Sequence, residues 1–353
     1  MNWDLVALQI LFHVESLSRV KVPLYDPLRR ALISPLADEM RDNSQRAVSV
    51  IIPTYNRSSA LVWCLEHLEV QTFRDFDVII VDDGSSDDTS DAVASYTATS
   101  TLEISYIRQE NGGPAKARNT AVRATRSPVC LLIGDDILAS PQMVERHVDL
   151  HRKQPQLATC GLGLTLWERE RQHLTPFMKY FEQIQFAYAD LRLGAQPDWR
   201  HFYTSNLSVK TELFRRYMFN ERFSNAAMED VELAYRINRS EELRIVFLPQ
   251  AQASHYHPTS LRQACLRNVL IGRSIHLFEE CWPEAGAFIP PLSGWRGILG
   301  RVFDHAAFRA ALTRVLSSLE RFYCNARLTR QLLDSYQRSG YSSREAEMRL
   351  PSR

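Results

Sequence analysis

The sequence predicts an α/β protein with a mainly parallel, Rossmann-like sheet flanked by helices and a helical appendage at the C-terminal end. Three observations predict it. Short apolar, β-rich runs alternate with stretches of helical spacing between residues 47 and 258, the pattern of βαβ units whose sheet is covered on both faces. The strand signal stops near residue 259, where helix-like stretches take over. The chain has 353 residues, 45% hydrophobic and 24% charged, enough for one large core or two.

The elements follow in order. Residues 1–46 read as an N-terminal helical extension, interrupted by Pro23, Pro27 and Pro35. Strands are predicted at Val48–Pro53, Val78–Asp82, Ile104–Arg108 and Val129–Ile133. Helices are predicted between them at 58–70, 87–98, 114–126 and 141–153. Residues 160–205 read as irregular, and a later apolar, strand-like run leads into His255. Past that point, 259–282, 303–320 and 323–338 carry helical spacing around the turn-rich Pro283–Gly300. The expected division is therefore 1–46, 47–258 and 259–353.

Composition excludes several functions. The formal charge is only +1, without the strongly basic domain of a nucleic-acid binder. That total conceals an asymmetry, because residues 260–353 hold 14 Arg against 8 Asp plus Glu. The longest apolar runs, such as Val78–Val81 and Val129–Ile133, fall far short of the roughly 18 residues of a membrane span. Asp4, Gln9 and His13 break any signal-peptide pattern, so a cytoplasmic location is expected. The six cysteines lie far apart with no CxxC pair, which fits reduced core thiols.

Ligands of open parallel sheets sit beyond the carboxyl ends of the strands. Four polar segments occupy those places: Pro53-Thr54-Tyr55-Asn56-Arg57, Asp82-Asp83-Gly84-Ser85, Asn111-Gly112-Gly113-Pro114 and Gly134-Asp135-Asp136. Each alone is compatible with turn chemistry; their joint appearance is the signal. Tyr55 offers an aromatic face and Asp83 a carboxylate acceptor to a ligand there. Asp82 reads equally as a turn-ordering carboxylate or a ligand contact. The Gly-rich turn before residue 115 can turn backbone amides and Arg118 toward an anion, or it can simply cap the helix. Glu229-Asp230 opens a helical stretch with Val231, Leu233, Ala234 and Ile237 on its apolar positions. His255 and His257 share one face at strand spacing.

The runs VSVIIPTYNR, VIIVDDGSSDDT, NGGPAKARN, LLIGDDI and MEDVELAYRI, with SHYHPTS downstream, together resemble the family 2 glycosyltransferases of glycosyltransferase A-type fold. The match in order and spacing runs over about residues 47–275. The resemblance implies an inverting transferase that moves a sugar from a nucleotide-diphospho-sugar, UDP-sugars favoured, to an acceptor hydroxyl. Saccharide or lipid-linked acceptors of polysaccharide, glycolipid or glycoconjugate synthesis are implied with it. It makes 47–258 the nucleotide-sugar-binding catalytic domain. It places Pro53, Tyr55, Arg57 and Asp83 at the nucleotide, Arg118 at the diphosphate and Asp135 at ribose or sugar. It implies Mn²⁺ or Mg²⁺ held by Asp136 and His255, with His257 as the alternative, and Asp230 as base with Glu229 beside it.

Gly134 departs from the pattern, standing where many members carry the first Asp of an Asp-X-Asp motif. That departure motivates a second reading, a catalytically inactive nucleotide-sugar-binding module. A phospho-receiver domain would not need the Gly-Asp-Asp and Glu-Asp motifs, and a dinucleotide oxidoreductase lacks its GxGxxG. His147 and His151 share a helix face but lack a third ligand, so they read as packed or solvated. The aromatics from Phe177 to Tyr203 read as core before acceptor wall. Ser205-Asn206 resembles the family segment before the base, where it would touch acceptor or donor sugar. The basic tail, with Leu266, Val269 and Leu270 among Arg262, Arg267 and Arg273, either covers the sheet or offers a peripheral membrane contact.

Overall fold

The structure is a computed structural model that describes residues 46–186, 188–289 and 300–349. The extension expected over 1–46 lies outside these residues apart from Arg46. The described residues form one compact unit.

Eight strands form one sheet: β1 (Val48–Thr54), β2 (Phe76–Asp82), β3 (Ile104–Arg108), β4 (Val129–Ile133), β5 (Ile137–Ala139), β6 (Thr159–Trp167), β7 (Asn206–Lys210) and β8 (Arg244–His255). Their order across the sheet is β3-β2-β1-β4-β7-β6-β8-β5. β1, β2, β3 and β4 run parallel, β7 is antiparallel to β4 and β6, β8 runs parallel to β6, and β5 closes the edge antiparallel to β8. Six strands thus point the same way, which brings their carboxyl ends to one side.

Alternation along β1 shows how the faces are covered. Val48, Val50 and Ile52 are wholly buried with Leu61, Cys64, Leu65 and Leu68 of α1 (Ser58–Glu69), spacings of three and four that put them on one helix face. Ile51 points the other way, to Ala115, Ala117, Ala121 and Val122 of α3 (Pro114–Ala124). α2 (Thr89–Thr97) and α4 (Met143–Lys153) add Val93 and Met143, Val144 and Val148 to the first face. Each such Val or Leu contributes roughly 1.5–3 kcal/mol by leaving water.

The segment expected to be irregular, 160–205, instead starts with most of the nine-residue strand β6. The glycines of Thr-Cys-Gly-Leu-Gly-Leu mark close approach. A Cβ at Gly163 would lie 2.2 Å from Asn206 Nδ2. After β6 come α5 (Pro176–Gln185), capped by Thr175, and the short α6 (Tyr188–Arg192). Most of the aromatics in this stretch are core: Phe177 and Phe181 stack with centroids 5.5 Å apart, and Trp199 packs on Tyr235 and Phe278. α7 (Thr211–Arg216) and α8 (Glu229–Ser240) lead into β8.

Three long helices follow: α9 (Leu261–Cys281), α10 (Ala306–Leu319) and α11 (Ala326–Arg349). Ser260 and Gln263 form a capping box at the start of α9. Leu261, Ala264 and Cys265 share a core with Trp167, Phe177, Phe181 and Leu332, so the expected boundary at 258/259 is a change of element type without a break in packing. α9 and α11 cross in backbone contact. A Cβ at Gly272 would sit 1.9 Å from the Gln337 carbonyl oxygen, and one at Gly340 2.0 Å from that of Val269. Leu266 and Leu270 stay on the outer side of α9, 58% and 38% exposed. No helix among the described residues is long and apolar enough to cross a membrane.

Candidate active site

The polar residues after β1, β2 and β4 and at the end of β8 meet at the carboxyl side of the sheet. β5 makes this happen. Its register sets Ile137 opposite His255, and the Tyr256 amide donates to the Asp136 carbonyl at 2.8 Å. His255 is held from the other side as well, where the Glu168 amide and Gln172 Nε2 donate to its carbonyl at 3.0 and 2.9 Å. Asp136 therefore faces a strand end well over a hundred residues away in sequence.

His255 Nε2 lies 3.2 Å and His257 Nδ1 3.3 Å from Asp136 Oδ2. The ligand atoms of these three residues all fall within 4.8 Å of one another. Arg57 donates through one guanidinium nitrogen to Asp136 and, at 3.3 Å, to Asp135 Oδ1, and through another to His257 Nδ1 at 3.2 Å. Thr54 Oγ1 donates to the other Asp135 oxygen at 2.8 Å. Burial would raise both carboxyls. At Asp136 the histidines and Arg57 outweigh it and hold the carboxyl well below its usual range, whereas Asp135, beside a charged neighbour, is pushed up to about 7. Gly134 has a steric reason, since a Cβ there would come within 2.7 Å of Asp136 Oδ1.

One carboxylate oxygen and two imidazole nitrogens converging on one point form a donor set that fits a divalent cation. Of the expected pair, Asp136 and His255 are together, and His257 joins them as a third member.

The nucleotide-side residues divide. Tyr55 is 49% exposed at the end of β1, free to meet a ring. Asn56, in the left-handed region at φ 53°, accepts from the amides of Ser86 and Asp87 and ties the first strand end to the second. Asp83 is buried, and its carboxylate accepts from Gln109 Nε2 and from the amides of Gly112 and Gly113 at 2.7–3.2 Å. These contacts take up most of its acceptor capacity, so Asp83 shapes the Gly112-Gly113 turn. Asp82 orders its own turn, accepting from the Ser85 amide at 2.7 Å and from the Tyr106 hydroxyl at 2.5 Å.

Arg118, expected at the diphosphate, is 7% exposed and donates to Glu229 at 2.8 Å, with Phe219 under its guanidinium. This buried pair fixes the start of α8. Met228 precedes it in the left-handed region at φ 66°, an uncommon conformation for a long side chain, and turns the chain into the helix. Asp230 is next. Its Oδ1 accepts from the Val231 amide at 2.8 Å, and the Thr204 amide also donates to it. Burial first, then the Glu229 charge, push its carboxyl up to about 7 against the pull of Arg118.

Asn206 is not a ligand contact. It is wholly buried, accepting from His147 Nε2 at 2.8 Å and donating to the Ala251 carbonyl at 2.9 Å. His147 and His151 both meet Ser208 Oγ, and burial brings their imidazoles down to about 4 and about 3. They form a neutral interior network. Sequence reasoning gave Thr54 a place in a strand-end segment but no role and missed Gln172, though these orient Asp135 and His255; a hydroxyl at a strand end and a glutamine in a turn carry no spacing signal.

Residues 49–223 match the family model described as Glycosyl transferase family 2. The chain belongs to glycosyl transferase family 2. The matched stretch ends before Glu229, Asp230 and His255. A validoxylamine A glucosyltransferase from Streptomyces hygroscopicus subsp. jinggangensis is 32% identical over 218 residues, covering 54% of this chain and 51% of the relative. The glycosyltransferase GlyG of Streptococcus pneumoniae is 30% identical over 192 residues, 52% of this chain and 62% of that protein. The chain thus spans about half to three-fifths of the length of these curated relatives. Among solved structures, the mannosyltransferase PcManGT from Pyrobaculum calidifontis, in complex with GDP-Man and Mn²⁺, superposes with a TM-score of 0.57 at 19% identity. That superposition covers 86% of this chain and 88% of PcManGT. It shows the glycosyltransferase A-type fold.

Proposed function

We propose that this family 2 member is an inverting glycosyltransferase that moves a sugar from a nucleotide-diphospho-sugar to the hydroxyl of a saccharide or lipid-linked acceptor. The observation that carries the proposal is the convergence of Asp136, His255 and His257 on one point at the carboxyl ends of the strands. These residues would hold the divalent cation, and their mixed oxygen and nitrogen donors favour Mn²⁺ over Mg²⁺, which prefers all-oxygen octahedra. When bound, such a cation neutralises charge on the departing diphosphate.

The chain's own residues do the rest. Tyr55 covers the base, with a UDP-sugar the first donor to try, beside Pro53. Asp83 acts through the Gly112-Gly113 turn, and Asp135 meets ribose or sugar from its anchor on Thr54. Glu229 is committed to Arg118, which leaves Asp230 to take the acceptor proton while the hydroxyl oxygen attacks the anomeric carbon and the diphosphate leaves from the opposite side. A base poised near neutrality suits that task. Attack opposite the leaving group gives inversion.

A panel of nucleotide sugars with and without Mn²⁺ tests the proposal. The matching donor at 100 times its Kd should stabilise the fold by about 2.7 kcal/mol and, with acceptor, release nucleoside diphosphate. Stabilisation without release would favour the inactive binding module that Gly134 suggests, and no stabilisation by any donor would reject the donor class.

The proposed location is cytoplasmic with a peripheral membrane contact, supported by Leu266, Leu270, Phe322 and Tyr323, all exposed, among the arginines of the C-terminal helices. Anionic vesicles should sediment the protein at low salt and neutral ones should not. No sedimentation with anionic vesicles at low salt removes this contact.

A further inference from the structure

The guanidinium of Arg57 sits on two of the three proposed metal donors. It donates to Asp136 Oδ2 and to His257 Nδ1, and these two acceptors stand 3.3 Å apart. In the tautomer that accepts from Arg57, Nδ1 presents its lone pair beside those of Asp136 Oδ2, and the two atoms repel unless a positive charge lies between them. The arginine supplies that charge. A metal ion bound to Asp136 Oδ2 and His257 Nδ1 needs the same lone pairs, and it carries charge of the same sign.

We infer that Arg57 is a resident cation that a divalent metal must displace, so that guanidinium and metal bind Asp136 and His257 in mutually exclusive states. This rests on the proposed metal-assisted reading of the site. Room for the displaced side chain exists. The Arg57 side chain is 38% exposed, and it lines a cleft of roughly 630 Å³ with Asn56, Trp63, Tyr256, Thr259 and Gln263. Release would carry its charge from the carboxylates into this open space, where an anionic ligand can recruit it. In the metal-free state the same arginine keeps Asp135 and Asp136, two adjacent buried carboxylates, from facing each other without a counter-charge.

The test is Mn²⁺ binding to the full chain without nucleotide, followed by electron paramagnetic resonance of the free ion. Competition predicts that removing the resident tightens binding. Arg57→Gln should bind Mn²⁺ at least about tenfold more tightly than wild type, a change of about 1.4 kcal/mol. Arg57→Lys should fall between, because one ammonium cannot span both acceptors in the guanidinium's planar geometry; it also serves if the glutamine variant fails to fold. His257→Ala should weaken binding in either background. Unchanged or weaker Mn²⁺ binding in folded Arg57→Gln or Arg57→Lys overturns the inference, as does a site that takes no Mn²⁺ in any form. Tighter binding in a protein that consumes no nucleotide sugar would leave the inference standing and remove the enzymatic reading instead.

Discussion

Asp230→Asn should lower sugar transfer by at least about 10², the lower end of what general bases contribute, with donor binding nearly intact. Asparagine keeps the shape and an oxygen for the Val231 amide but cannot take a proton from the acceptor hydroxyl. The wild-type pH profile carries a second signature. Its carboxyl is pushed up to about 7, first by burial and then by Glu229, and only the ionised form is a base. Transfer should therefore climb as pH rises through about 7 and then level off, and Asp230→Asn should lose that limb. Initial rates across this range, at saturating donor, check both. A variant with wild-type turnover and an unaltered limb would remove Asp230 from the mechanism.

The sheet's parallel half was legible because its strands announce themselves twice. Val48, Val50 and Ile52 sit in an apolar run, and that run ends in Thr-Tyr-Asn-Arg, a strand end too polar to continue. β6 was not legible, because Gly161 and Gly163 interrupt the apolar signal for a tertiary reason, room for Asn206 and its neighbours. At the site, the spacing of His255 and His257 placed both on one face. It could not show that the three-residue strand β5 sets them against Asp136, since register between distant strands leaves no local trace. Partner choice was equally invisible. Arg118 and Asp83 both read as ligand contacts, and both turn inward, Arg118 onto Glu229 and Asp83 onto the Gly112-Gly113 amides. A charged group beside a Gly-rich turn looks the same in sequence whether it faces a ligand or holds the neighbouring structure in place.

Asp136→Ala has the largest expected effect on binding. It removes the carboxylate to which both imidazoles turn, a loss that should exceed the 10- to 100-fold typical of an outer-shell partner. Asp83→Ala, by contrast, should loosen the Gly112-Gly113 turn and weaken nucleotide binding with or without metal. Calorimetry of nucleoside diphosphate binding, run with Mn²⁺ and then with chelator on wild type and Asp136→Ala, tests the metal-assisted site most directly. The account predicts that Mn²⁺ tightens binding to wild type and that Asp136→Ala loses at least about 10² of that enhancement, its affinity staying near the chelator value. Equal Mn²⁺ dependence in the two proteins would contradict it.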